Sequence, residues 1–268
     1  MSVNRIAVIG GGKMGEAIVA GLVASGFAAA ADITVAEPNA DRAEVFASHG
    51  VATVVDGHDA VAGADIIVLA VKPQVIDAVL AHLAPEVSSD AIVVSIAAGI
   101  TTARLESQLG AGAAVVRVMP NTPAMVGQGM SVISGGSDAT AEQVESIRAM
   151  FEALGRAIVL DERYQDAATA ISGSGPAYVA LFVDALARAG VRQGLTRDIS
   201  QALALQTLRG TVELIERTGM HPEAVVDAVS SPGGTTIAAV EALEASGLRS
   251  GVFDAVAAAV RRSKELGS

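Results

Sequence analysis

Apolar residues in the first 160 positions form short, nearly continuous runs that alternate with segments of helical periodicity. Runs of this kind are typical of parallel strands that helices cover on both faces. The pattern predicts strands at 5–10, 32–37, 64–71, 91–98 and 113–119. Helices are expected between them, at 14–25, at 40–48 and after Pro73. The chain therefore begins with an α/β arrangement around a mostly parallel, doubly wound sheet.

Two further apolar runs, 129–134 and 157–160, predict strands at the edges of this sheet, with a helix at 140–153 between them. After Asp161 the strand-like runs stop, and long segments rich in Ala and Leu follow. Breaks rich in Gly and Pro divide this part into predicted helices at 163–190, 197–218, 222–229, 235–246 and 249–266. We therefore expect an α/β domain over 1–162 and an all-α domain over 163–268. Small residues on several helix faces favour close contact with another helix or a second subunit.

Composition excludes several classes of function. The net charge is −11, aromatic residues make up 3% and Trp is absent, which argues against a nucleic-acid binder or a binder of anionic membranes. The absence of Cys excludes disulfides, thiolate catalysis and Cys-ligated metals. No uninterrupted apolar run reaches about 18 residues, and the first residues lack the pattern of a signal peptide. We expect a cytoplasmic protein without a membrane span.

The clearest chemical motif is the sequence GGGKMG, which follows the first strand and opens the first helix. In the pattern GxGxxG, Gly10 permits a tight turn, Gly12 lets the backbone approach a pyrophosphate and Gly15 lets the helix pack against the strand. The free N–H groups of the helix start favour phosphate binding. The motif predicts a dinucleotide site.

The second strand ends in the sequence AEPNADR, which leaves the choice of dinucleotide open. Glu37 lies where an acidic residue would bind the adenosine ribose 2′-OH of NAD. Asn39 and Arg42 follow closely and could instead receive the 2′-phosphate of NADP. Arg42 also fits a solvated helix face.

Three further segments could contribute to a site. Lys72 follows a buried strand and precedes Pro73, where it could hold a phosphate, a ribose or a carboxylate, or be an ordinary surface lysine. In the sequence MPNTP, two prolines stiffen a loop around Asn121 and Thr122, which could reach a ligand or serve as a connector. The glycines of SGSGP (172–176) interrupt an apolar helix, as expected where a ligand or another helix approaches closely.

The segment SSPGGTTIAAV (230–240) ends one helix and begins another. Its proline and glycines allow an unusual loop, and the free N–H groups of the new helix, together with Thr235 and Thr236, form a candidate carboxylate site. A well-capped helix start is the alternative interpretation.

The four histidines, His49, His58, His82 and His221, lie outside all these motifs. No His–carboxylate pair and no metal-ligand spacing is apparent, so no metal is expected. The candidate site contains glycines, hydroxyls, amides and one lysine, with little strong acid–base equipment. Such a site fits imine reduction better than ketone reduction, because a reduced ketone requires a proton donor for its alkoxide.

These motifs together resemble the pyrroline-5-carboxylate reductases. The resemblance spans nearly the whole chain and includes IGGGKMGEAIVAGL, LAVKPQ, VRVMPNTPAMVGQG, SGSGPAYV and, most specifically, VSSPGGTTIAAVEALEASGLRS. It implies a Rossmann domain followed by a helical dimerisation domain, with the active site at the domain and subunit junction. It also implies a dimer, with a decamer of dimers as a larger assembly.

The resemblance assigns residues to the cofactor and to the substrate. The motifs and the resemblance together give as cofactor residues Gly10, Gly12, Lys13, Met14, Gly15, Glu37, Asn39, Ala70, Lys72, Pro73, Ala97 and Asn121. Those implied for the substrate carboxylate are Ser231, Gly233, Gly234, Thr235 and Thr236, with Thr236 also placed to hydrogen-bond the ring nitrogen and act in catalysis. The resemblance supports a role for the Thr235 hydroxyl less strongly, because other members of the family can have alanine there.

The implied reaction is reduction of L-1-pyrroline-5-carboxylate to L-proline, the last step of proline biosynthesis, by NADPH or alternatively NADH. Two other functions remain open. One is a related reductase acting on a β-hydroxy acid or another cyclic imine, and the other is a dinucleotide sensor without catalysis.

Overall fold

The first part of the chain forms the predicted alternation of strands and helices. The computed structural model describes residues 5–267. Its strands are β1 (Ile6–Ile9), β2 (Ile33–Ala36), β3 (Ala52–Val54), β4 (Ile66–Leu69), β5 (Ile92–Ser95), β6 (Ala114–Met119), β7 (Gly129–Gly135) and β8 (Gly155–Val159). The helices among them are α1 (Lys13–Ser25), α2 (Ala40–Ala47), α3 (Gly57–Val61), α4 (Ile76–Leu83), α5 (Thr102–Leu109) and α6 (Ala141–Glu152).

Three of these elements were not predicted from the sequence. Strand β3 has three residues and helix α3 has five, so neither is long enough to establish a clear period. Helix α5 has a low proportion of apolar residues, and Thr101 caps its start by accepting a hydrogen bond from the Arg104 N–H.

All eight strands belong to one sheet, in the order β3-β2-β1-β4-β5-β6-β7-β8. Strands β1 to β6 run parallel, β7 is antiparallel to β6, and β8 is parallel to β7. The prediction of two edge strands is half right, because β8 lies at the edge whereas β7 lies between two strands. The chain reverses its direction of growth between β1 and β4, which creates a crevice at their carboxyl ends.

Two hydrophobic cores lie on opposite faces of the sheet. One contains Ile18 and Leu22 of α1 with Phe151 of α6, and the other contains Leu80 of α4 with Leu105 of α5. Strands buried on both faces explain the nearly continuous apolar runs in the sequence. The predicted doubly wound α/β fold is confirmed.

One largely buried ion pair joins the sheet to the segment that follows it. Arg117 in β6 is 5% exposed, and its Nη1 donates to Glu162 Oε1 at 3.0 Å. The Glu162 carboxylate also accepts from the backbone N–H and the hydroxyl of Thr102, at 2.9 and 2.6 Å. A buried arginine needs such a partner, so this network fixes where the chain leaves the sheet.

The second part of the chain is helical, as predicted. Its helices are α7 (Gln165–Ala168), α8 (Gly175–Arg192), α9 (Arg197–Thr218), α10 (Pro222–Val229), α11 (Thr235–Ala245) and α12 (Leu248–Gly267). The expected helix at 163–190 is divided, because a π-helical turn at Thr169–Gly173 separates α7 from α8. At Gly173 a Cβ atom would lie 3.2 Å from Thr169 Cγ2 and 3.3 Å from Met119 Cε. The absence of a side chain at Gly173 therefore permits the π-helical turn to lie close to Met119.

By their internal contacts, the residues form two compact units. One unit is Met1–Ser174 with Ala259–Ser268, and the other is Gly175–Ala258. The second unit has very little core, because only four of its residues are buried, namely Ala187, Ser200, Ala204 and Val225. Large apolar side chains are exposed instead, including Leu181 at 71% and Phe253 at 73%.

One helical run differs from the expectation that no segment could span a membrane. The run Glu162–Arg192 is long and apolar enough to do so by length and composition alone, and 11% of its most apolar window is buried. Exposed apolar surface on helices α8 and α9 thus requires a partner of some kind.

Candidate active site

Predicted cofactor residues from five strands meet at one edge of the sheet. Gly10 follows β1, Glu37 follows β2, Lys72 follows β4, Ala97 follows β5 and Asn121 follows β6. These strands are parallel, so their carboxyl ends lie at the same edge. Ligands of open α/β sheets bind outside this edge, at the crevice where strand order reverses.

The glycine loop after β1 is shaped by close contacts within the chain. Gly10 has a φ of +105°, and a Cβ atom there would lie 2.7 Å from the Ala70 carbonyl oxygen. A Cβ atom at Gly15 would collide with the Gly10 carbonyl oxygen. The chain itself therefore requires glycine at both positions.

Gly12 differs, because a Cβ atom there would meet nothing within 4 Å. It precedes α1, whose first turn has no side-chain cap. Open space beside glycine and free N–H groups at a helix start are what a pyrophosphate requires. Lys13 and Met14 begin the same helix. The residues of this loop fit a dinucleotide.

Glu37 and Arg42 brace the loop from the side of β2. Glu37 accepts the Gly11 N–H through Oε2 and the Asn39 N–H through Oε1, each at 2.8 Å. Arg42 donates to the Gly11 carbonyl oxygen from Nε at 2.9 Å and from Nη2 at 2.6 Å. The N–H and the carbonyl oxygen of Gly11 are therefore each bound by a charged side chain. The sequence analysis did not identify Gly11, and its position between two motif residues was the only signal.

Arg42 also binds Glu16 on α1, with 2.9 Å between Nη2 and Oε2. This hydrogen bond is the main reason that the pKa of Glu16 is lowered. Asn39 caps α2 by accepting the Arg42 N–H at 3.1 Å. Asn39 and Arg42, which the sequence indicated for a 2′-phosphate, thus also have structural roles in this loop.

The residues after β4 and β5 differ in exposure. Lys72 is exposed and precedes a 3₁₀ turn that Pro73 begins. Ala97 is 3% exposed, and its N–H donates to Ser95 Oγ at 3.3 Å. Ala70 donates its N–H to the Ile9 carbonyl oxygen at 2.8 Å, which joins β4 to the start of the glycine loop.

Asn121 is a buried link between three segments. Its Nδ2 donates to the Ser172 carbonyl oxygen at 2.9 Å, and its Oδ1 accepts the Met130 N–H at 2.8 Å. One side chain therefore joins the MPNTP loop to β7 and to the π-helical turn. Its amide keeps a second N–H and a second lone pair for a ligand.

The loop between α10 and α11 is a tight turn. The Gly234 N–H donates to the Ser231 carbonyl oxygen at 3.0 Å, and Gly233 has a φ of +65°. Proline followed by a glycine of positive φ is typical of a type II turn. A Cβ atom at Gly234 would collide with Ser231 Oγ, so only glycine allows the serine hydroxyl to lie over the turn.

Helix α11 begins after this turn without a side-chain cap. Thr235 is exposed and Thr236 is partly buried. Within residues 5–267, neither hydroxyl has a recorded hydrogen-bond partner. Free backbone N–H groups with hydroxyls beside them can bind a small carboxylate.

The histidines require a correction. The sequence analysis expected no His–carboxylate pair, but His82 Nε2 lies 2.9 Å from Asp56 Oδ1. His58 Nε2 lies 3.2 Å from His82 Nδ1. These residues come from two separate helices and an adjacent loop, so spacing along the chain could not reveal them.

The different environments of the loop glycines generate a prediction. Gly15→Ala should lower the free energy of unfolding by about 2 kcal/mol, because its methyl group collides with backbone that cannot move aside. Gly12→Ala should leave stability nearly unchanged but weaken dinucleotide binding at least several-fold, because its methyl group fills space that is open in the protein. Urea unfolding and titration of reduced dinucleotide fluorescence measure the two effects. Undiminished binding by Gly12→Ala would contradict the assignment of this space to the cofactor.

Known protein families match both the first and the second part of the chain. The family described as "Pyrroline-5-carboxylate reductase dimerisation" matches residues 162–266, and the family described as "NADP oxidoreductase coenzyme F420-dependent" matches residues 5–99. A curated pyrroline-5-carboxylate reductase from Synechocystis is 46% identical over 264 residues, which is 98% of each chain.

Two solved structures extend the similarity to the fold. A pyrroline-5-carboxylate reductase from Coxiella burnetii has a TM-score of 0.93 at 35% identity and 99% coverage of both chains. A pyrroline carboxylate reductase from Plasmodium falciparum, solved with NADP bound, has a TM-score of 0.91 at 32% identity and 100% coverage of both chains. The identity, the coverage and the common fold show that this chain belongs to the pyrroline-5-carboxylate reductase family.

Proposed function

We propose that this protein reduces L-1-pyrroline-5-carboxylate to L-proline with hydride from NADPH, the last step of proline biosynthesis. The observation that carries this proposal is the similarity to pyrroline-5-carboxylate reductases over nearly the full length of the chain. NADH is the alternative cofactor. Oxidation of NADPH that depends on added pyrroline-5-carboxylate, with proline as the product, is the direct test.

The residues proposed to hold the cofactor are those at the carboxyl edge of the sheet. The uncapped start of α1 and the open space at Gly12 support binding of the pyrophosphate there. Lys13, Met14, Lys72 and Pro73 belong to this set, with Ala70, Ala97 and Asn121 along the same edge. The bound dinucleotide supplies the hydride for the reaction.

The substrate carboxylate is assigned to the turn from Ser231 to Gly234 and to the N–H groups that begin α11. No arginine is needed there, because a helix start carries a partial positive charge and free donors. Thr236 is proposed to orient the ring nitrogen through its hydroxyl, and Thr235 has a smaller role. Orientation of this kind can lower a reaction barrier by several kcal/mol.

An imine substrate agrees with the groups that this site offers. The protonated imine carbon already accepts hydride, and the product is an amine rather than an alkoxide. A strong general acid is therefore not required. Hydroxyls and amide groups, which are the polar groups proposed here, suffice to position the ring.

Two other functions are less well supported. A reductase for β-hydroxy acids would require an acid for the alkoxide, and the residues proposed for the substrate, which are Ser231, Gly233, Gly234, Thr235 and Thr236, include none. The lysines Lys13 and Lys72 are assigned to the cofactor. A sensor without catalysis would bind NADPH without oxidising it when substrate is added. Assays with 2-hydroxy acids, pyrroline-2-carboxylate and pyrroline-5-carboxylate distinguish the three.

The protein self-associates through its helical part, which matches the family's dimerisation domain. We infer a dimer, with a decamer of dimers as the larger assembly. The exposed apolar side chains of Gly175–Ala258 support a second copy as their partner, and the same explanation accounts for the apolar run at 162–192 without a membrane. A cytoplasmic location stays a prediction.

Removal of the Thr236 hydroxyl tests the catalytic assignment. Thr236→Ala should lower kcat about 100-fold, because one oriented hydrogen bond to the reacting group is lost. Thr236→Ser keeps the hydroxyl and should retain most activity. Thr235→Ala should lower kcat much less than Thr236→Ala does. Steady-state kinetics and a separate NADPH titration measure turnover and cofactor affinity. An unchanged kcat in Thr236→Ala would remove Thr236 from the mechanism.

Glu37 generates a prediction about cofactor preference. Glu37→Gln keeps an acceptor for the Gly11 or Asn39 N–H but removes a negative charge. We expect KM for NADPH to fall about fivefold, because about 1 kcal/mol of repulsion from the 2′-phosphate is relieved. KM for NADH should change little. If the two values move together, Glu37 acts only on the shape of the loop.

Exposed Phe253 tests the assignment of the apolar surface. Phe253→Asp should shift the protein toward monomers and abolish proline formation, because a buried unpaired carboxylate disfavours association. Phe253→Leu is the matched control and should remain associated. Light scattering during size-exclusion chromatography gives the mass. A fully associated Phe253→Asp protein would show that this side chain lies outside the interface.

A further inference from the structure

Asp56, His58 and His82 form a polar cluster that the proposed reaction does not use. Asp56 caps α3, and its Oδ1 accepts the His58 N–H at 3.0 Å. His82 lies in the last turn of α4. Helices α3 and α4 both pack against the same face of the sheet, so the cluster stands on fixed elements rather than on a loose loop.

Two imidazole nitrogens of this cluster face each other. His58 Nε2 and His82 Nδ1 are 3.2 Å apart, and the rings are nearly perpendicular, with an interplanar angle of 89°. Two nitrogens bound to one tetrahedral zinc ion at 2.0–2.1 Å lie about 3.3 Å from each other. The two nitrogens share a hydrogen bond whose length is close to the separation that a shared metal requires, and a bound ion would displace the proton between them.

Asp56 determines which nitrogen of His82 is available. Its Oδ1 lies 2.9 Å from His82 Nε2, so the carboxylate accepts the proton at Nε2 and leaves the lone pair of Nδ1 facing His58. Metal-binding imidazoles in proteins commonly donate their other N–H to a carboxylate in this way.

We propose that His58 Nε2 and His82 Nδ1 bind a single divalent ion of the zinc class, with Asp56 orienting His82 through the hydrogen bond to its Nε2. Water completes the coordination, because Asp56 and His82 are both exposed. Imidazole ligands favour zinc, copper and nickel, whereas magnesium and calcium prefer oxygen.

The bound ion would join α3 to α4 near the edge of the sheet. Asp56 lies two residues after Val54, whose carbonyl oxygen accepts the Glu37 N–H at 2.9 Å. Zinc would thus stabilise the outer strands β2 and β3 together with the helix that follows them. The role is structural, and it is independent of the proposed reduction.

The test uses full-length protein without a histidine tag, after metals have been removed with a chelator. Calorimetric titration with zinc chloride should show one ion bound per chain, and the melting temperature should rise with zinc concentration. His58→Gln and His82→Gln should each weaken binding at least tenfold. Titration with magnesium chloride should give neither binding nor a shift in melting temperature.

Two further variants serve as matched controls. His49→Gln removes a histidine outside the cluster and should bind zinc as the unmodified protein does. Asp56→Asn keeps a helix cap but removes the charge, and should weaken binding about 10- to 100-fold. Circular dichroism verifies that each variant is folded. The proposal is overturned if unmodified protein binds no zinc, or if zinc binding and the thermal shift persist when both His58 and His82 are glutamine.

Discussion

Helices α8 to α12 carry more apolar surface than one copy of the chain covers. Between Gly175 and Ala258 only four residues are buried, although burial of apolar surface is the main favourable contribution to folding. Because the chain matches the family's dimerisation domain, we propose a second copy as the partner that covers this surface. The turn between α10 and α11, which we assign to the substrate, lies within this same segment. We therefore propose that substrate binding depends on association. The two cores around the sheet, by contrast, already exist in a single chain.

The glycine loop shows how one set of charges can have two roles. Glu37 binds the N–H of Gly11 and Arg42 binds its carbonyl oxygen. They therefore maintain the loop before α1 that we assign to the pyrophosphate. They also lie after β2, where the adenosine ribose of a dinucleotide binds. A substitution that alters cofactor preference at these positions will also affect the shape of the loop. Acidic and basic residues are neighbours here because each also has a structural role in the loop. Their presence in the sequence therefore did not indicate one cofactor.

Most long elements could be predicted because continuous apolar runs mark the strands and Gly- or Pro-rich breaks mark the ends of the helices. Helices α9 and α10 and strand β6 agree closely with the predicted boundaries. Strand β3 and helix α3 could not be predicted, because a few partly exposed residues establish no period. The π-helical turn at Thr169–Gly173 was also missed. It contacts Met119 and accepts a hydrogen bond from the Asn121 side chain, and both residues are about 50 positions away in the chain. Local pattern thus accounts for the layers, and contacts between them account for the irregular turns.

The sequence by itself determined the fold class, the dinucleotide loop and the turn before α11, because each depends on neighbouring residues in one short segment. Glycine at Gly10 and Gly233 fits the positive φ angles of these turns. Only the tertiary structure decided that Glu162 neutralises Arg117 and that His58 faces His82. These partners are separated by 45 and 24 positions. Their contact arises from the packing of whole helices and strands, which no local spacing of residues encodes.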